Sequence, residues 1–354
     1  MTKDNRLGWL SASAKELNLQ SQSDAQSRQM QLTKPPGSLG RLEQIAVRLA
    51  AMQGKDQPSA EQVHISIFAA DHGIAAEGVS AFPQEVTGAM IANFANGGAA
   101  ISVLARVLHA ELEVIDVGSA NDPGLLPSVR SQRIAAGTAN FSIEAAMSSE
   151  QLADALLAGR EAVERAQQRG TEIYIGGEMG IANTTSATAI AAALLDIDPV
   201  ELAGPGTGLG SEGISHKVEV IKKSLKLHQQ SLADPLEVLR CVGGFELAAL
   251  TGAYIRAAQL GIPVVVDGFI CSAAALAAIR IEASVANWLI LSHASAEPGH
   301  AAIVNALGDR PLIDLGMRLG EGSGAATIIP LLRMACQLHN GMATFAEAGV
   351  ADGS

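Results

Sequence analysis

The sequence predicts an α/β protein built on a doubly wound parallel sheet. Three observations lead there: short apolar runs rich in β-branched residues recur along the chain, Ala-rich segments of helical length separate them, and Gly or polar turns bound the runs. Strands covered on both faces read as near-continuous apolar runs, and parallel strands need a helix-length crossover between them.

In chain order, the first sixty residues are polar and hold one helical pattern, residues 38–53, in which Leu39, Leu42, Ile45, Ala46 and Leu49 recur at three- and four-residue spacing. Ahead of it, TKPPGSLG (33–40) gives a rigid extended approach through its Pro pair, with Ser38 as the expected helix cap. The predicted strands are HISIFAA (64–70), ELEVIDV (111–117), EIYIGG (172–177), IPVVVD (262–267) and NWLILS (287–292). In such sheets ligands lie beyond the carboxyl ends of the strands. The informative residues are therefore Asp71-His72-Gly73, Gly118-Ser119, Gly176-Gly177-Glu178, Asp267-Gly268 and His293-Ala294-Ser295. No repeat or linker run divides the chain, and the two ends are the candidates for a smaller subdomain.

Composition removes several function classes. Of 354 residues, 24 are Lys or Arg and 36 are Asp or Glu, a net charge of −12, which argues against a nucleic-acid footprint. Aromatics at 3% leave few ring faces for stacking single strands, while 48% apolar residues exclude wholesale disorder. Three widely spaced cysteines, Cys241, Cys271 and Cys336, fit neither a disulfide framework nor a zinc ribbon. The N-terminus lacks the apolar core of a signal peptide and Asp267 interrupts the apolar stretch 262–279, so a cytoplasmic protein without membrane insertion is expected.

Three glycine-rich constellations follow strands or open helices. GGEMGIANTTSATAIAAALL (176–195) places Gly176, Gly177 and Gly180 before Asn183, Thr184, Thr185 and Ser186, the outline of a phosphate cradle at a helix start. The same residues also read as an ordinary capped turn, and they form neither a Walker A loop nor a G-x-G-x-x-G fingerprint. GPGTGLGSEGISHKVEVI (204–221) sets Gly204, Gly206, Gly208, Gly210 and Gly213 ahead of Lys217, either an anion loop or a mobile surface loop. LGMRLGEGSGAATIIPLL (315–332) holds Glu321 between Gly320 and Gly322, before a helix expected near Ser323. A carboxylate among apolar neighbours such as Leu319 is a candidate base, and equally a partner for the helix dipole. No H-x-x-x-H or H-E-x-x-H pair and no G-x-S-x-G elbow occurs, so neither a metal site nor a serine hydrolase is expected.

Taken together, the chain resembles the nicotinate-nucleotide:dimethylbenzimidazole phosphoribosyltransferase family of cobalamin assembly. The resemblance runs in order through TKPPGSLGRLE (33–43), FAADHGIAAEGVSAFPQEVT (68–87), NFANGGAAISVLAR (93–106), IGGEMGIANTTSATA (175–189), GPGTGL (204–209), HKVEVI (216–221), VGGFELAALTGA (242–253), VVDGFICSAAAL (265–276), SHASAEPGH (292–300) and IDLGMRLGEGSGAA (313–326). It implies a Rossmann-like sheet domain over residues 61–299, a smaller helical domain from residues 1–60 plus approximately 300–354, and a homodimer. The implied reaction joins nicotinate mononucleotide and 5,6-dimethylbenzimidazole to give α-ribazole 5′-phosphate and nicotinate, with no metal or organic cofactor.

The resemblance also implies roles. Glu321 matches the family's LGEG glutamate, the general base, and Glu178 its second carboxylate near the ribose, read here as electrostatic support for an oxocarbenium-like sugar. The nucleotide is expected at Gly176, Gly177, Gly180, Asn183, Thr184, Thr185, Gly204, Gly206, Gly208, Lys217 and Ser295. The acceptor base is expected at Ser80, Phe82, Gln84, Met90 and Leu319. Ala182 stands where many relatives carry glycine, and Phe82 and Met90 are apolar where some are polar. Two alternatives stay open: a related enzyme using benzimidazole, adenine or a phenol, and a non-catalytic nucleotide sensor.

Overall fold

Six parallel strands form one sheet: β1 (Val63–Ala70), β2 (Glu111–Gly118), β3 (Val129–Ser131), β4 (Ile173–Met179), β5 (Val264–Val266) and β6 (Leu289–Leu291), in the order β3-β2-β1-β4-β5-β6. The computed structural model describes residues 5–124 and 126–351. All five apolar runs read from the sequence are strands. β3 escapes that reading because its three residues, VRS, sit half-exposed or exposed at the sheet edge and make neither an apolar run nor an alternation. From β1 the chain moves outward to β2 and β3, then returns to place β4 on the other side of β1. The strand order reverses between β1 and β4, which puts the topological switch point at their carboxyl ends.

Helices cover both faces, as adjacent glycines in β4 show. A Cβ on Gly176 would meet Leu250 of the helix Phe245–Leu260 at 2.6 Å, whereas one on Gly177 would meet the Glu321 backbone carbonyl at 2.7 Å on the opposite face. Outside Phe245–Leu260 lies the helix Ser149–Gln168, so close that a Cβ on Gly252 would collide with the Leu156 carbonyl. The alternation of a strand thus presents one glycine to a helix and the other to the loop that carries Glu321.

At the chain ends, the helix Leu19–Gln31 packs on Arg41–Gln53, which packs on Ser323–Gly341. Arg28 ties the first to the last through the carbonyls of His339, Asn340 and Met342. The expected cap at Ser38 is corrected: the helix starts at Arg41 with Gly40 at its N-cap, and Glu43 accepts the Leu39 amide at 3.0 Å instead. Ser38 falls in the turn before it, its own amide bonded to the Pro35 carbonyl. The apolar stretch Glu85–Leu108 has the length and hydropathy of a membrane span, but it is two helices, Glu85–Ala95 and Ala100–Leu108. Each is well short of the about 20 residues a span requires.

Candidate active site at the strand-order reversal

A cleft of about 450 Å³ opens at the switch point, lined by residues that follow β4, β5 and β6 together with the loop ahead of Ser323–Gly341. Glu178, near the end of β4, is 4% exposed and accepts a hydrogen bond at Oε2 from Asn183 Nδ2. Burial pushes its carboxyl up to about 8, and the nearby carboxylates of Glu246 and Asp267 push the same way.

Glu321 enters the cleft from the other side. Its backbone is left-handed, φ +63°, between Gly320 at +88° and Gly322 at +78°, a conformation that strains any residue with a Cβ. Glycine is favoured on its N-terminal side by the left-handed backbone of Gly320, where a Cβ would also crowd Glu178 Oε1. The Glu321 side chain is buried, its Oε2 has no hydrogen-bond partner, and burial raises its pKa, with Asp267 adding to the rise and the Ile101 amide opposing it. Strain held at a buried, under-satisfied carboxylate is characteristic of a functional position.

Asp267, directly after β5, holds that loop in place. Its Oδ2 accepts the Gly322 amide at 3.1 Å and its Oδ1 accepts the Ala325 amide at 2.9 Å, so one carboxylate satisfies two free donors at a helix start. His293 Nδ1 lies 3.8 Å from Oδ1. Burial raises the Asp267 pKa against the opposing influence of His293 and those amides.

On the glycine-loop side, Thr184 and Gly206 line the cleft and Lys217 stands behind them. Lys217 Nζ, 1% exposed as a residue, donates to Thr184 Oγ1 at 3.1 Å and to the Gly204 carbonyl at 3.3 Å. Burial lowers its pKa to about 8, with the Glu297 carboxylate resisting. A buried ammonium behind cleft-lining hydroxyl and amide groups is a natural anion anchor.

A polar layer supports the floor. His72 Nε2 contacts Glu246 Oε1 at 2.7 Å and its Nδ1 contacts Ser186 Oγ at 2.9 Å, all three fully buried. Thr87 Oγ1 donates to Asp71 Oδ1 and accepts the Ile181 amide, fixing the turn between β4 and the helix Asn183–Leu195. In that turn Ala182 is left-handed at φ +74° and 3% exposed, a conformation that glycine adopts without strain.

The remaining expected residues divide. Phe82, Met90 and Leu319 line the cleft as an apolar wall with Val86, and Gly180, Asn183 and Ser295 line it too. Ser80 and Gln84 stand back: Ser80 Oγ lies 3.3 Å from Thr207 Oγ1, and Gln84 Nε2 donates to the His72 carbonyl. Gly176 and Gly177 are packing positions in the sheet, as described above, rather than lining positions. Thr185 is buried with an unpartnered Oγ1, Gly204 packs on Glu297 and Pro298, and a Cβ on Gly208 would meet open space.

Among the lining residues that carry no role in the sequence reading are four with acidic, basic or imidazole side chains: Asp267, His293, Glu297 and Arg318. The strand-end rule marks the first two as informative positions. Among the described residues no group of three His, Cys, Asp or Glu side chains is placed to hold a metal ion.

The family model described as phosphoribosyltransferase matches residues 14–350. Nicotinate-nucleotide–dimethylbenzimidazole phosphoribosyltransferase of Pseudomonas syringae pv. syringae (strain B728a) is 58% identical over 344 residues, covering 97% of this chain and 98% of that one. The protein of the same name from Xanthomonas axonopodis pv. citri (strain 306) is 57% identical over 347 residues, 98% of this chain and 99% of that one. A crystal structure bearing that enzyme name, from Thermus thermophilus, superposes with a TM-score of 0.89 at 43% identity, covering 95% of this chain and 99% of the other. With a parallel α/β sheet, a carboxylate-lined cleft at its switch point and a match along almost its whole length, the chain belongs to the nicotinate-nucleotide–dimethylbenzimidazole phosphoribosyltransferase family, a family of glycosyltransferases.

Proposed function

We propose that this chain transfers the 5-phosphoribosyl group of nicotinate mononucleotide to 5,6-dimethylbenzimidazole, releasing nicotinate and forming α-ribazole 5′-phosphate with inversion at the anomeric carbon. The observation that carries the reading is Glu321, a buried carboxylate with a free oxygen, raised pKa and strained backbone, in the same cleft as the apolar wall of Phe82, Val86, Met90 and Leu319. A flat, weakly acidic N–H heterocycle suits that combination.

In this reading, one ring nitrogen of the acceptor attacks C1′ of the ribose while the C1′–N bond to the pyridinium breaks, its electron pair returning to the nicotinate nitrogen. The leaving group departs without needing a proton. The acceptor's second nitrogen gives its proton to the Glu321 carboxylate. Positioning of two substrates supplies up to about 7–11 kcal/mol of the barrier reduction, and a general base about 10²- to 10⁴-fold.

The role assigned to Glu178 changes. A carboxyl pushed up to about 8 is mostly protonated near pH 7, so it serves as a hydrogen-bond donor to a ribose oxygen rather than as a negative charge facing an oxocarbenium ion. The nucleotide phosphate fits against Thr184, Gly206 and the Lys217 ammonium behind them, a reading supported by the Lys217–Thr184 hydrogen bond and by the close approach of Gly206 to both side chains.

The two chain ends, residues 1–60 and about 300–354, are proposed as the smaller helical domain, supported by the packing of Leu19–Gln31, Arg41–Gln53 and Ser323–Gly341. The enzyme is further proposed to work in the cytoplasm as a homodimer.

Incubation with nicotinate mononucleotide and 5,6-dimethylbenzimidazole, with products followed by mass, tests the reaction. α-Ribazole 5′-phosphate and equimolar nicotinate are expected. Parallel incubations with benzimidazole, adenine and a phenol rank the acceptors. Nucleotide binding without nicotinate release for any acceptor would make the protein a sensor instead.

A further inference from the structure

We infer that Arg318 is a specificity-determining residue that reads the pyridine-3-carboxylate of the donor nucleotide and so separates nicotinate mononucleotide from its amide counterpart. The inference rests on the donor proposed above and goes one step further, to the group that selects it.

Among the described residues lining the cleft, Arg318 is the one lysine or arginine, and it shares that lining with four carboxyl side chains, Glu178, Asp267, Glu297 and Glu321. Most arginines near the core are committed to the chain: Arg48 to Asp309 and the Leu289 carbonyl, Arg133 to Asp116, Arg165 to Glu113. Arg318 is exposed and makes no hydrogen bond or ion pair with the described residues, although its charge is felt at Glu297. It is carried on the strap between the helices His300–Leu307 and Ser323–Gly341, three residues before Glu321 and next to the apolar Leu319.

The proposed donor has two anionic ends. Its phosphate suits the buried, hydroxyl- and amide-lined side built from Thr184, Gly206 and Lys217, where the cation is already fixed. The second anion, a planar carboxylate on the departing ring, needs a cation reachable from the cleft mouth. A guanidinium offers the planar two-donor fork that matches a carboxylate, which an ammonium does not. The need is electrostatic as well: the N-glycosylated pyridinium is activated whether it carries carboxylate or carboxamide, so reactivity alone does not choose between the nucleotides. Any of the cleft carboxyl groups that is ionised would disfavour the extra negative charge unless a cation met it.

Calorimetric titration of the full chain with nicotinate mononucleotide and with nicotinamide mononucleotide, each without acceptor, separates the possibilities, because the two ligands share the phosphate and ribose. The unaltered protein should bind the nicotinate form more tightly. Arg318→Met should weaken that form about 10- to 100-fold, the range of a charge-assisted hydrogen bond, and change the nicotinamide form less than about twofold. Arg318→Lys should fall between. In turnover, the loss should appear in KM for nicotinate mononucleotide with kcat nearly unchanged. Equal weakening of both nucleotides would overturn the inference and move Arg318 to the phosphate. Unchanged binding of both, or equal affinity of the unaltered protein for the two, would also overturn it. Absence of turnover with tight, selective binding would instead count against the proposed reaction.

Discussion

The two ends of the sheet hold carboxylates in opposite electrostatic states. At the amino end, Glu113 on β2 and Glu172 just before β4 are held low. Burial pushes Glu113 up, but His64, 3.9 Å away, and the hydrogen bonds from Arg165 and Arg130 outweigh it and bring the pKa to about 2. Glu172 is lowered in the same way: burial pushes it up, and Ser59, the Gln62 and Glu61 amides and Lys55 outweigh that push. At the carboxyl end, Glu178, Asp267, Glu297 and Glu321 are all raised by burial. Burial penalises the charged form at both ends, so the partners decide the outcome. Charged and amide donors converge on the amino end and make its carboxylates structural. Around the cleft, carboxylates face one another, and an acid poised to accept or hold a proton results.

The largest expected effect breaks the cleft side. Glu321→Gln should lower kcat at least about tenfold, and up to the 10²- to 10⁴-fold typical of a general base, while the affinity for nicotinate mononucleotide stays near normal. Stopped assays of nicotinate release with dimethylbenzimidazole present check it, and near-normal turnover would remove the base from Glu321.

Glu178→Gln tests the neighbouring acid through stability. In the folded chain Glu178 keeps its proton up to about 8, whereas the unfolded chain releases it near the ordinary value of 4.5. The folded state therefore binds more protons between those values, and this group's contribution to stability declines as pH rises through them. Glutamine should flatten that decline by on the order of 2–4 kcal/mol between pH 5 and 8, read from denaturant unfolding at the two pH values. A slope identical to that of the unaltered protein would place the raised proton elsewhere.

Glu113→Gln should act in the opposite sense. A carboxylate at about 2 in the fold and 4.5 when free stabilises the protein fully above the higher value and loses that contribution as pH falls toward the lower one. The substitution should destabilise the protein by about 1–3 kcal/mol near pH 7, and by progressively less below pH 4.5, as denaturant unfolding at both pH values would show. The smallest effect belongs to Ser38→Ala, which should change stability by less than about 0.5 kcal/mol because the helix starts at Arg41 with Gly40 at its N-cap and has no side-chain cap. A loss of about 1 kcal/mol in thermal or denaturant unfolding, the size of a true cap, would restore that role to Ser38.

These contrasts also separate what is legible in the sequence from what is not. β1, β4, β5 and β6 announce themselves because strands buried on both faces must be apolar throughout, and the strand-end rule then leads directly to Glu178, Asp267 and His293. β3 is an edge strand of three residues and carries no such pattern. The glycines of LGEG point to a turn, yet the left-handed backbone of Glu321 itself and the grip of Asp267 on Gly322 and Ala325 are long-range facts, 55 and 58 residues apart in the chain. Gly176 and Gly177 read naturally as a cradle, but the same absence of a side chain serves helix and loop packing on the two faces of β4. Lys217 sits in a loop-and-helix pattern that suits an anion, and only the fold shows that Thr184 stands between it and the cleft. An arginine three residues from a candidate base has no sequence signature, and Arg318 stands out only once the cleft shows how few cations line it.

The opposite states of the two sheet ends are open to direct observation by carbon NMR titration of the side-chain carboxyls in glutamate-labelled protein, with Glu321→Gln, Glu178→Gln and Glu113→Gln assigning the three resonances. Glu178 should titrate near about 8, Glu321 above the ordinary 4.5, and Glu113 near about 2. A Glu321 resonance titrating at or below 4.5, alongside Glu113, would contradict the distinction between a proton-accepting cleft and a structural edge.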